Sequence, residues 1–459
     1  MSHADALAEL ARLYGVQREY WDANGNHRYP SDEAVIAIMG ALGAQIGSRD
    51  DLPDALAERN REIWNRLAEP VVAAIAGEPV ELSLRAPAWA VGLARATIET
   101  EDGQTRVLDL ELGTLPTVFS ATIDGEDRRE RRLTLDPLPA GYHQLRIESG
   151  GSSSDVLVIS APRHAPAPAR ARGWGVFLPL YAMRSEHTRG IADIGDLERM
   201  LERVDVLGGD LVGSTPLFAS FRGEPSPYAP ASRLFWNELY ADLGASPELE
   251  ASAEARALLS STAFAQTGRT LAEAPYVDYR AALDLRRPVL EELARTLFAG
   301  PSTRRDAFER HLRTTPELAD YARFRANAEA RGSGWPVWPE AERDGTLAIA
   351  DEDPAFRYHA YGQWLVDEQL RELAGRDGAG LYLDQPLGVN SDSYDTWRER
   401  SSFALGASGG SPPDQFFAAV RSGVSHRCTP GASATIATAT RSRACGASSD
   451  GPARCGSIT

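Results

Sequence analysis

Two polar loop segments and three cysteines are the parts of this sequence whose residue types could do chemistry. Ser226 and Tyr228 flank a proline, and Asp392 lies in a run of Asn, Ser and Asp residues. Taken alone, the first segment is also typical of a simple turn, and Asp392 is typical of an Asx turn. The cysteines all lie beyond residue 427, their spacings match no metal site, and three thiols cannot all pair internally. The sequence therefore predicts hydrogen-bonding loops, without a zinc site or a disulfide framework.

Composition limits the classes of ligand. The 459-residue chain is 43% hydrophobic and 25% charged, as is usual for proteins that fold in water. Its formal net charge of −17 would repel nucleic-acid phosphates over most of the surface, whereas a neutral substrate needs hydrogen bonds and no charged field. No segment has the ~20 apolar residues of a transmembrane helix, and the first residues carry no secretion signal. We therefore expect a cytoplasmic protein with no nucleic-acid or membrane partner.

The hydrophobic period changes once in the first third of the chain. Apolar residues recur at helical spacing over residues 1–68, which predicts a small helical region. Over residues 69–161 the spacing becomes two, and short alternating segments separated by turn residues predict a β-sandwich domain. Three aromatic residues of this domain could form a sugar-binding platform, but packing in the core or at an edge is the more usual role; they are Trp89, Phe119 and Tyr142.

The remainder of the chain alternates strands and helices. A proline-rich linker is predicted at residues 162–172, where apolar residues show no period. Beyond it, a short apolar run at 174–178 is expected to be a buried strand, and 210–212 and 381–383 are expected to be further strands. Alternating β and α units of this size predict a parallel sheet, either open or closed into a barrel. Residues 250–330 are expected to form a helical insertion.

Six motifs then follow one another in a fixed order. They are GWGVF, LYAMRS and GIADIGDL within 173–197, SPYAPASRLF at 226–235, YARFRA with WPVWP within 321–339, QWLVDEQL at 363–370, GVNSDSYDTW at 388–397, and SPPD at 411–414. In this order they resemble the 4-α-glucanotransferases of the amylomaltase type, glycoside hydrolase family 77. The resemblance implies an α/β fold, namely an incomplete (β/α)8 TIM-type barrel that carries the helical insertion.

The same resemblance implies a site and a reaction. Ser226, Tyr228 and Asp392 would line a sugar-binding cleft, and Pro413 and Asp414 would open the loop that folds over bound glucan. A neutral glucan offers only hydroxyls and apolar ring faces, so polar loops and aromatic surfaces suit it. The implied reaction is transfer of α-1,4-glucan segments by a retaining double displacement without a cofactor. The implied ligands are maltose, maltodextrins, and fragments of glycogen or starch. Four tryptophans of the motifs are expected in the core: Trp174, Trp335, Trp338 and Trp364.

The pattern breaks after residue 417, where the predicted barrel segment 173–417 ends. Residues 418–459 contain five arginines, one acid and no aromatic residue, which cannot bury enough surface to fold. The family's nucleophilic Asp lies in an Arg-x-Asp-His segment, and this chain has none. A reading frame shifted at codon 419 permits Gly-Gln-Glu-Trp-Gly and, at the end, Leu-Arg-Ile-Asp-His. We therefore expect a frameshift near residue 418, a C-terminal truncation without catalytic carboxylates, and no transfer activity from this chain alone.

Two other interpretations stay open at this point. A hydrolytic relative from the α-amylase clan would accumulate reducing ends, whereas a transferase keeps their number constant. A non-catalytic glucan-binding protein would use the β-sandwich and the Tyr228 loop, and it would be retarded in a native gel that contains glycogen.

Overall fold

The computed structural model describes residues 2–22, 24–165, 172–345 and 347–411, together with two short strands beyond them. The chain divides into two compact units, of which the first is formed mainly by Met1–Ala169 and the second mainly by Arg170–Ser411. Within the described ranges, none of the helices has the length and apolar character needed to cross a membrane.

The first unit begins with helices around a small apolar core. The elements are α1 (His3–Leu13), β1 (Tyr20–Trp21), β2 (His27–Arg28), α2 (Asp32–Ala41) and α3 (Leu52–Asn65). The Ser2 and Ser31 hydroxyls each accept a hydrogen bond from a backbone N–H at 3.2 Å, so both serines are N-caps. The apolar faces of the three helices meet in one cluster, which includes Leu7, Leu10, Val35, Met39 and Leu52. The helical period of this region is confirmed.

Two facing sheets complete the first unit. Their strands are β3 (Val71–Ile75), β4 (Val80–Pro87), β5 (Leu93–Glu99), β6 (Thr105–Glu111), β7 (Thr117–Ile123), β8 (Glu126–Leu135), β9 (Gly141–Ser149) and β10 (Ser152–Ala161). One sheet has the order β3-β10-β9-β5-β6 and the other β4-β8-β7, and their buried faces share one core. Only the β3–β10 pair is parallel among these described strands.

Two of the sandwich aromatics lie outside the core, and one of them, Phe119, belongs to β7, an edge strand of its sheet. Trp89 is 74% exposed and Phe119 is 61% exposed. Phe119 pairs with Glu130 of β8, and the buried residues of β8 (Arg131, Leu133 and Leu135) lie on the other face of that strand. Register therefore turns Phe119 outward, where its ring lies 6.0 Å from the ring of Trp64. Tyr142 is partly buried.

The second unit contains a parallel sheet and a set of helices. The described strands β11 (Gly175–Phe177), β12 (Leu211–Ser214) and β13 (Gly380–Leu383) pair in parallel in that order. The helices are α4 (Ile194–Val206), α5 (Ala253–Ser260), α6 (Thr262–Glu273), α7 (Tyr279–Phe298), α8 (Thr303–Thr314), α9 (Pro316–Arg331), α10 (Glu340–Arg343), α11 (Pro354–Ala374) and α12 (Tyr394–Arg398). Short strands follow at β14 (Val389–Asn390), β15 (Gly410–Ser411), β16 (Arg421–Ser422) and β17 (Ser425–His426), and β14 pairs with β17.

The position of the first parallel strand is as predicted, but its burial is not. Phe177 and Trp174 are both exposed, because among the described strands β11 pairs only with β12 and therefore lies at an edge. The prediction of a core position is thus wrong for Trp174. It is confirmed for the other three motif tryptophans, which are at most 5% exposed: Trp335, Trp338 and Trp364.

Candidate functional site

The predicted site lies in loops that follow the carboxyl ends of two parallel strands. Strand β12 ends at Ser214, and the loop that leads from it carries Ser226 and Tyr228. Strand β13 ends at Leu383, and Asp384 follows it directly. The Asp384 N–H donates to the Ser214 carbonyl at 3.2 Å, which continues the pairing of the two strands by one residue. Since parallel strands end at the same edge of a sheet, this edge brings both loops together.

Tyr228 and Asp384 form the central contact of this edge. The Tyr228 hydroxyl donates to Oδ2 of Asp384 at 2.6 Å, while 48% of the tyrosine remains exposed. Partial burial, then the hydrogen bond and the negative charge of Asp384, raise the pKa of Tyr228 to about 12. The phenol is therefore neutral at physiological pH. Its hydroxyl is held by the carboxylate, and the exposed part of its ring is available for stacking.

Ser226 shapes the loop that carries this tyrosine. Its hydroxyl accepts the Tyr228 N–H at 3.3 Å, its carbonyl accepts the Ala229 N–H at 3.2 Å, and its own N–H donates to the Glu224 carboxylate at 2.9 Å. These bonds are those of the simple turn that the sequence also allowed. A direct role of Ser226 toward a ligand stays a prediction.

A buried carboxylate joins the Tyr228 loop to the segment after β13. Asp395 is 2% exposed, accepts the Ser232 hydroxyl, and accepts the Arg233 N–H at 3.0 Å. Burial raises the pKa of Asp395 above its usual range, and its hydrogen bonds and Arg233 oppose this effect. Two backbone bonds add to the junction, from the Asn390 N–H to the Pro230 carbonyl and from the Tyr394 N–H to the Ala231 carbonyl. The two loops are therefore held to one another directly after Tyr228, over residues 230–233.

Asp392 lies in the second of these loops and contacts a glycine turn. Its N–H donates to the Asn390 side chain at 2.9 Å, which forms an Asx turn, and its Oδ1 accepts the Ser391 hydroxyl at 3.2 Å. The carboxyl group packs so closely on Gly334 that a Cβ there would overlap Oδ2. Within the part of the chain that the structure describes, Asp392 thus lies against Gly334, and it is Asp384 that contacts Tyr228.

Two predicted residues cannot be placed, and one important residue was missed. Pro413 and Asp414 lie outside the described residues, so their role over a bound glucan stays a prediction. Asp384 was not among the predicted site residues. The signal for it was an acid immediately after a predicted strand, at the edge where parallel sheets bind ligands.

Two glutamines of α11 fix the chain just beyond the Tyr228 loop. The side-chain amide of Gln363 accepts the Trp236 N–H at 2.7 Å and donates to the Trp236 carbonyl at 2.6 Å. Gln369 makes the same pair of bonds with the backbone of Asp242, at 2.9 and 2.8 Å. The QWLVDEQL motif therefore positions the segment that follows the Tyr228 loop.

A third loop, between β11 and α4, carries a partly buried carboxylate. Asp193 caps α4 by accepting the N–H groups of Gly195 and Asp196, and it also accepts from the Arg286 guanidinium at 3.1 Å. Burial raises the pKa of Asp193 to about 6, although Arg286 opposes this effect; the charges of Asp242 and Asp196 add to it. In the described ranges, no group of three or more His, Cys, Asp or Glu side chains could hold a metal ion.

Comparisons with known proteins agree with this arrangement. A family model described as 4-alpha-glucanotransferase matches residues 178–419, and a model described as MalQ N-terminal beta sandwich domain matches residues 67–162. The 4-alpha-glucanotransferase of Mycobacterium tuberculosis is 30% identical over an alignment of 443 residues that covers 90% of this chain and 59% of that protein. The 4-alpha-glucanotransferase of Haemophilus influenzae is 26% identical over 448 residues, with the same coverage of 90% and 59%.

One solved structure extends the comparison to the fold. The crystal structure of amylomaltase from Corynebacterium glutamicum superposes with a TM-score of 0.77 at 23% identity, covering 95% of this chain and 62% of that one. At this identity the likeness concerns the fold alone, an α/β architecture preceded by a β-sandwich. The chain spans 59% of the length of the two bacterial relatives above.

Proposed function

Because the chain belongs to the 4-α-glucanotransferase family, we propose that the protein transfers α-1,4-glucan segments between maltodextrin chains. The observation that carries the proposal is the Tyr228–Asp384 pair at the carboxyl edge of the parallel strands. The ligands would be maltose, maltodextrins and fragments of glycogen or starch. Cytoplasmic maltodextrin metabolism stays a prediction from the sequence.

The domain plan of the proposal follows the sequence. Residues 1–68 form the helical region, 69–161 the β-sandwich, and 162–172 a linker. Residues 173–417 form the first part of a TIM-type barrel, of which β11, β12 and β13 would be the first strands. The sequence predicts no folded domain within 418–459, although the described strand β17 of that range pairs with β14.

The chemistry of a glucan explains what the loops contribute. Sugar rings present apolar faces and neutral hydroxyls, so an exposed phenol ring offers stacking and a fixed hydroxyl offers hydrogen bonds. Asp384 would hold Tyr228 in the orientation that the ligand needs, and Ser226 and Asp392 would line the same cleft. Pro413 and Asp414 would open the covering loop.

The bond exchange itself needs other groups. Retention requires a nucleophilic carboxylate and an acid–base carboxyl about 5 Å apart. We assign neither role to any of the described residues, and the proposal gives them binding and positioning only. One glycosidic bond replaces another, so the reaction needs no net oxidation or reduction and no cofactor is proposed.

Product analysis tests the proposal. The protein purified from its own host is incubated with maltotriose, and glucose, longer maltodextrins and total reducing ends are followed over time. Transfer predicts glucose and longer chains at a constant number of reducing ends, and rising reducing ends would assign the protein to the hydrolases instead. The 459-residue chain by itself is the comparison, for which the sequence predicts no transfer. Glucose and longer chains from that preparation would contradict this second prediction.

A further inference from the structure

Three aromatic side chains follow one another on one face of the β1–β2 hairpin, with Trp21 stacked on His27 and Tyr29 tilted by 54° against His27. Trp21 and His27 are directly paired across the hairpin, and their rings are parallel within 8° at a centroid distance of 4.6 Å. Tyr29 lies two residues beyond His27 on the same face, with its ring 4.5 Å from the imidazole. We call Trp21, His27 and Tyr29 the aromatic ladder.

Hydrogen bonds hold the ladder and its turn in place. The Tyr29 hydroxyl lies 2.8 Å from Nδ1 of His27, and Nε2 of His27 lies 3.3 Å from the Glu19 carboxylate. At the turn, the Asp22 carboxylate accepts the N–H groups of Asn24 and Asn26 and the Arg28 guanidinium. The rings are therefore ordered before any ligand arrives, which lowers the entropy cost of binding.

The ladder is open to solvent. Trp21 is 69% exposed and Tyr29 is 66% exposed, and none of the three residues belongs to the apolar core of the helical region. Single exposed apolar residues are ordinary, but contiguous exposed rings with a polar border indicate a binding surface. Core packing does not explain this arrangement.

The chemistry of the ladder suits a neutral sugar chain. Flat ring faces stack on the apolar faces of pyranose rings, and the Glu19 carboxylate and the Tyr29 hydroxyl at the border can bond to sugar hydroxyls. The net charge of −17 opposes anionic ligands. Three rings at this exposure offer roughly 400 Å², about half of the ~800 Å² that each partner of a stable protein interface usually buries. A second copy of the chain is therefore the poorer occupant.

We propose that the aromatic ladder is an auxiliary α-glucan-binding site in the first unit, separate from the site at Tyr228. The inference rests on the proposed function, because that function supplies the α-1,4-glucan as the chain's ligand. The ladder would retain long glucans, such as glycogen, by stacking sugar rings on Trp21 and Tyr29. It takes no part in bond exchange.

Affinity electrophoresis of the 459-residue chain in native gels with and without glycogen tests the proposal. We expect Trp21→Ala and Tyr29→Ala each to weaken the retardation constant roughly tenfold, as for an aromatic anchor of a binding site, and Trp21→Phe to restore part of it. Tyr20→Ala is the matched control, since Tyr20 is an exposed aromatic residue on the opposite face of the same hairpin, where it pairs with Arg28. It should migrate like the unsubstituted chain.

Several results would overturn the proposal. These are an absence of retardation, retardation unaffected by both ladder substitutions, or an equal loss on Tyr20→Ala. Concentration-dependent sedimentation that Trp21→Ala abolishes would assign the ladder to a second copy instead. The maltotriose assay on the protein from its host separates the two proposals. Transfer activity without ladder-dependent retardation would contradict only the proposal of an auxiliary site. Ladder-dependent retardation without transfer activity would contradict only the proposed transferase function.

Discussion

The Tyr228 hydroxyl donates a 2.6 Å hydrogen bond to Asp384 across 156 residues of the chain. The contact joins the loop after β12 to the end of β13, at the edge where the strands present their loops. Because Tyr228 stays half exposed, the bond orients a ring that a ligand can still reach. The orientation of the Tyr228 ring at the site therefore depends on Asp384.

A double-mutant cycle measures the free energy of the contact between Tyr228 and Asp384. We expect Tyr228→Phe and Asp384→Ala to be coupled by roughly 1 kcal/mol in the free energy of unfolding, which is below the ~1.5–3 kcal/mol of bonds to charged groups because the ring is half exposed. Urea denaturation of the two single variants and the double variant gives the value. Tyr276→Phe, at a far more exposed tyrosine of the same unit, should leave stability unchanged. Strictly additive losses would mean that the bond does not form.

Substitutions at two neighbouring glycines distinguish the effect of displacing Asp392 from the effect of a general loss of stability. A Cβ at Gly334 would overlap the Asp392 carboxylate, so Gly334→Ala must displace that side chain. If Asp392 lines the cleft, affinity for maltoheptaose should fall roughly tenfold, the loss of one bond to a charged group. Gly332 has φ +62° with open space around its Cα, so Gly332→Ala should cost about 1 kcal/mol of stability and no affinity. Equal affinities in the two variants, measured by calorimetry, would remove Asp392 from the cleft.

The buried amide of Gln363 should matter more for stability than its partner on the same helix. Gln363→Leu leaves the N–H and the carbonyl of Trp236 without their bonds inside the protein, which should cost roughly 2–4 kcal/mol in urea unfolding. Gln369 makes equivalent bonds but is only partly buried. Water can replace those bonds, so Gln369→Leu should cost clearly less. A larger loss of stability for Gln369→Leu than for Gln363→Leu would contradict the roles described for the hydrogen bonds of these two glutamines.

Asp193 should make stability depend on pH. Its folded pKa of about 6 lies above the usual value for Asp, so the folded state holds a proton that the unfolded state has lost. The stability contribution of Asp193 is therefore greatest below about pH 4, falls as pH rises, and is lost above about pH 6, a change of roughly 2–3 kcal/mol. An asparagine at this position cannot titrate, so unfolding free energies of the Asp193→Asn variant and the unsubstituted chain should diverge over this window. A difference that stays constant from about pH 4 to about pH 7 would contradict the shift.

Local patterns in the sequence were enough to predict the helices and strands, but they were not enough to predict the contacts between them. The helical spacing of apolar residues predicted the N-terminal helices, and alternation predicted the sandwich strands, because both depend on near neighbours. The exposure of Trp174 depends on which strands flank β11, and the contact of Tyr228 with Asp384 depends on a fold that brings distant segments together. Neither of these two features can be predicted from the spacing of residues along the sequence. The family motifs located the Tyr228 loop, but they did not identify Asp384.

Calorimetric titration of the 459-residue chain with maltoheptaose tests the central claim, that the loops around Tyr228 and Asp384 bind α-1,4-glucan. The Trp21→Ala background removes the aromatic ladder, and a β-1,4-linked oligosaccharide of similar length is the ligand control. We expect binding of maltoheptaose and not of the β-1,4-linked control. Tyr228→Ala should weaken that binding roughly tenfold or more, as for an aromatic anchor, with little change in Tm. Equal affinity with and without the Tyr228 ring, in a folded variant, would contradict it.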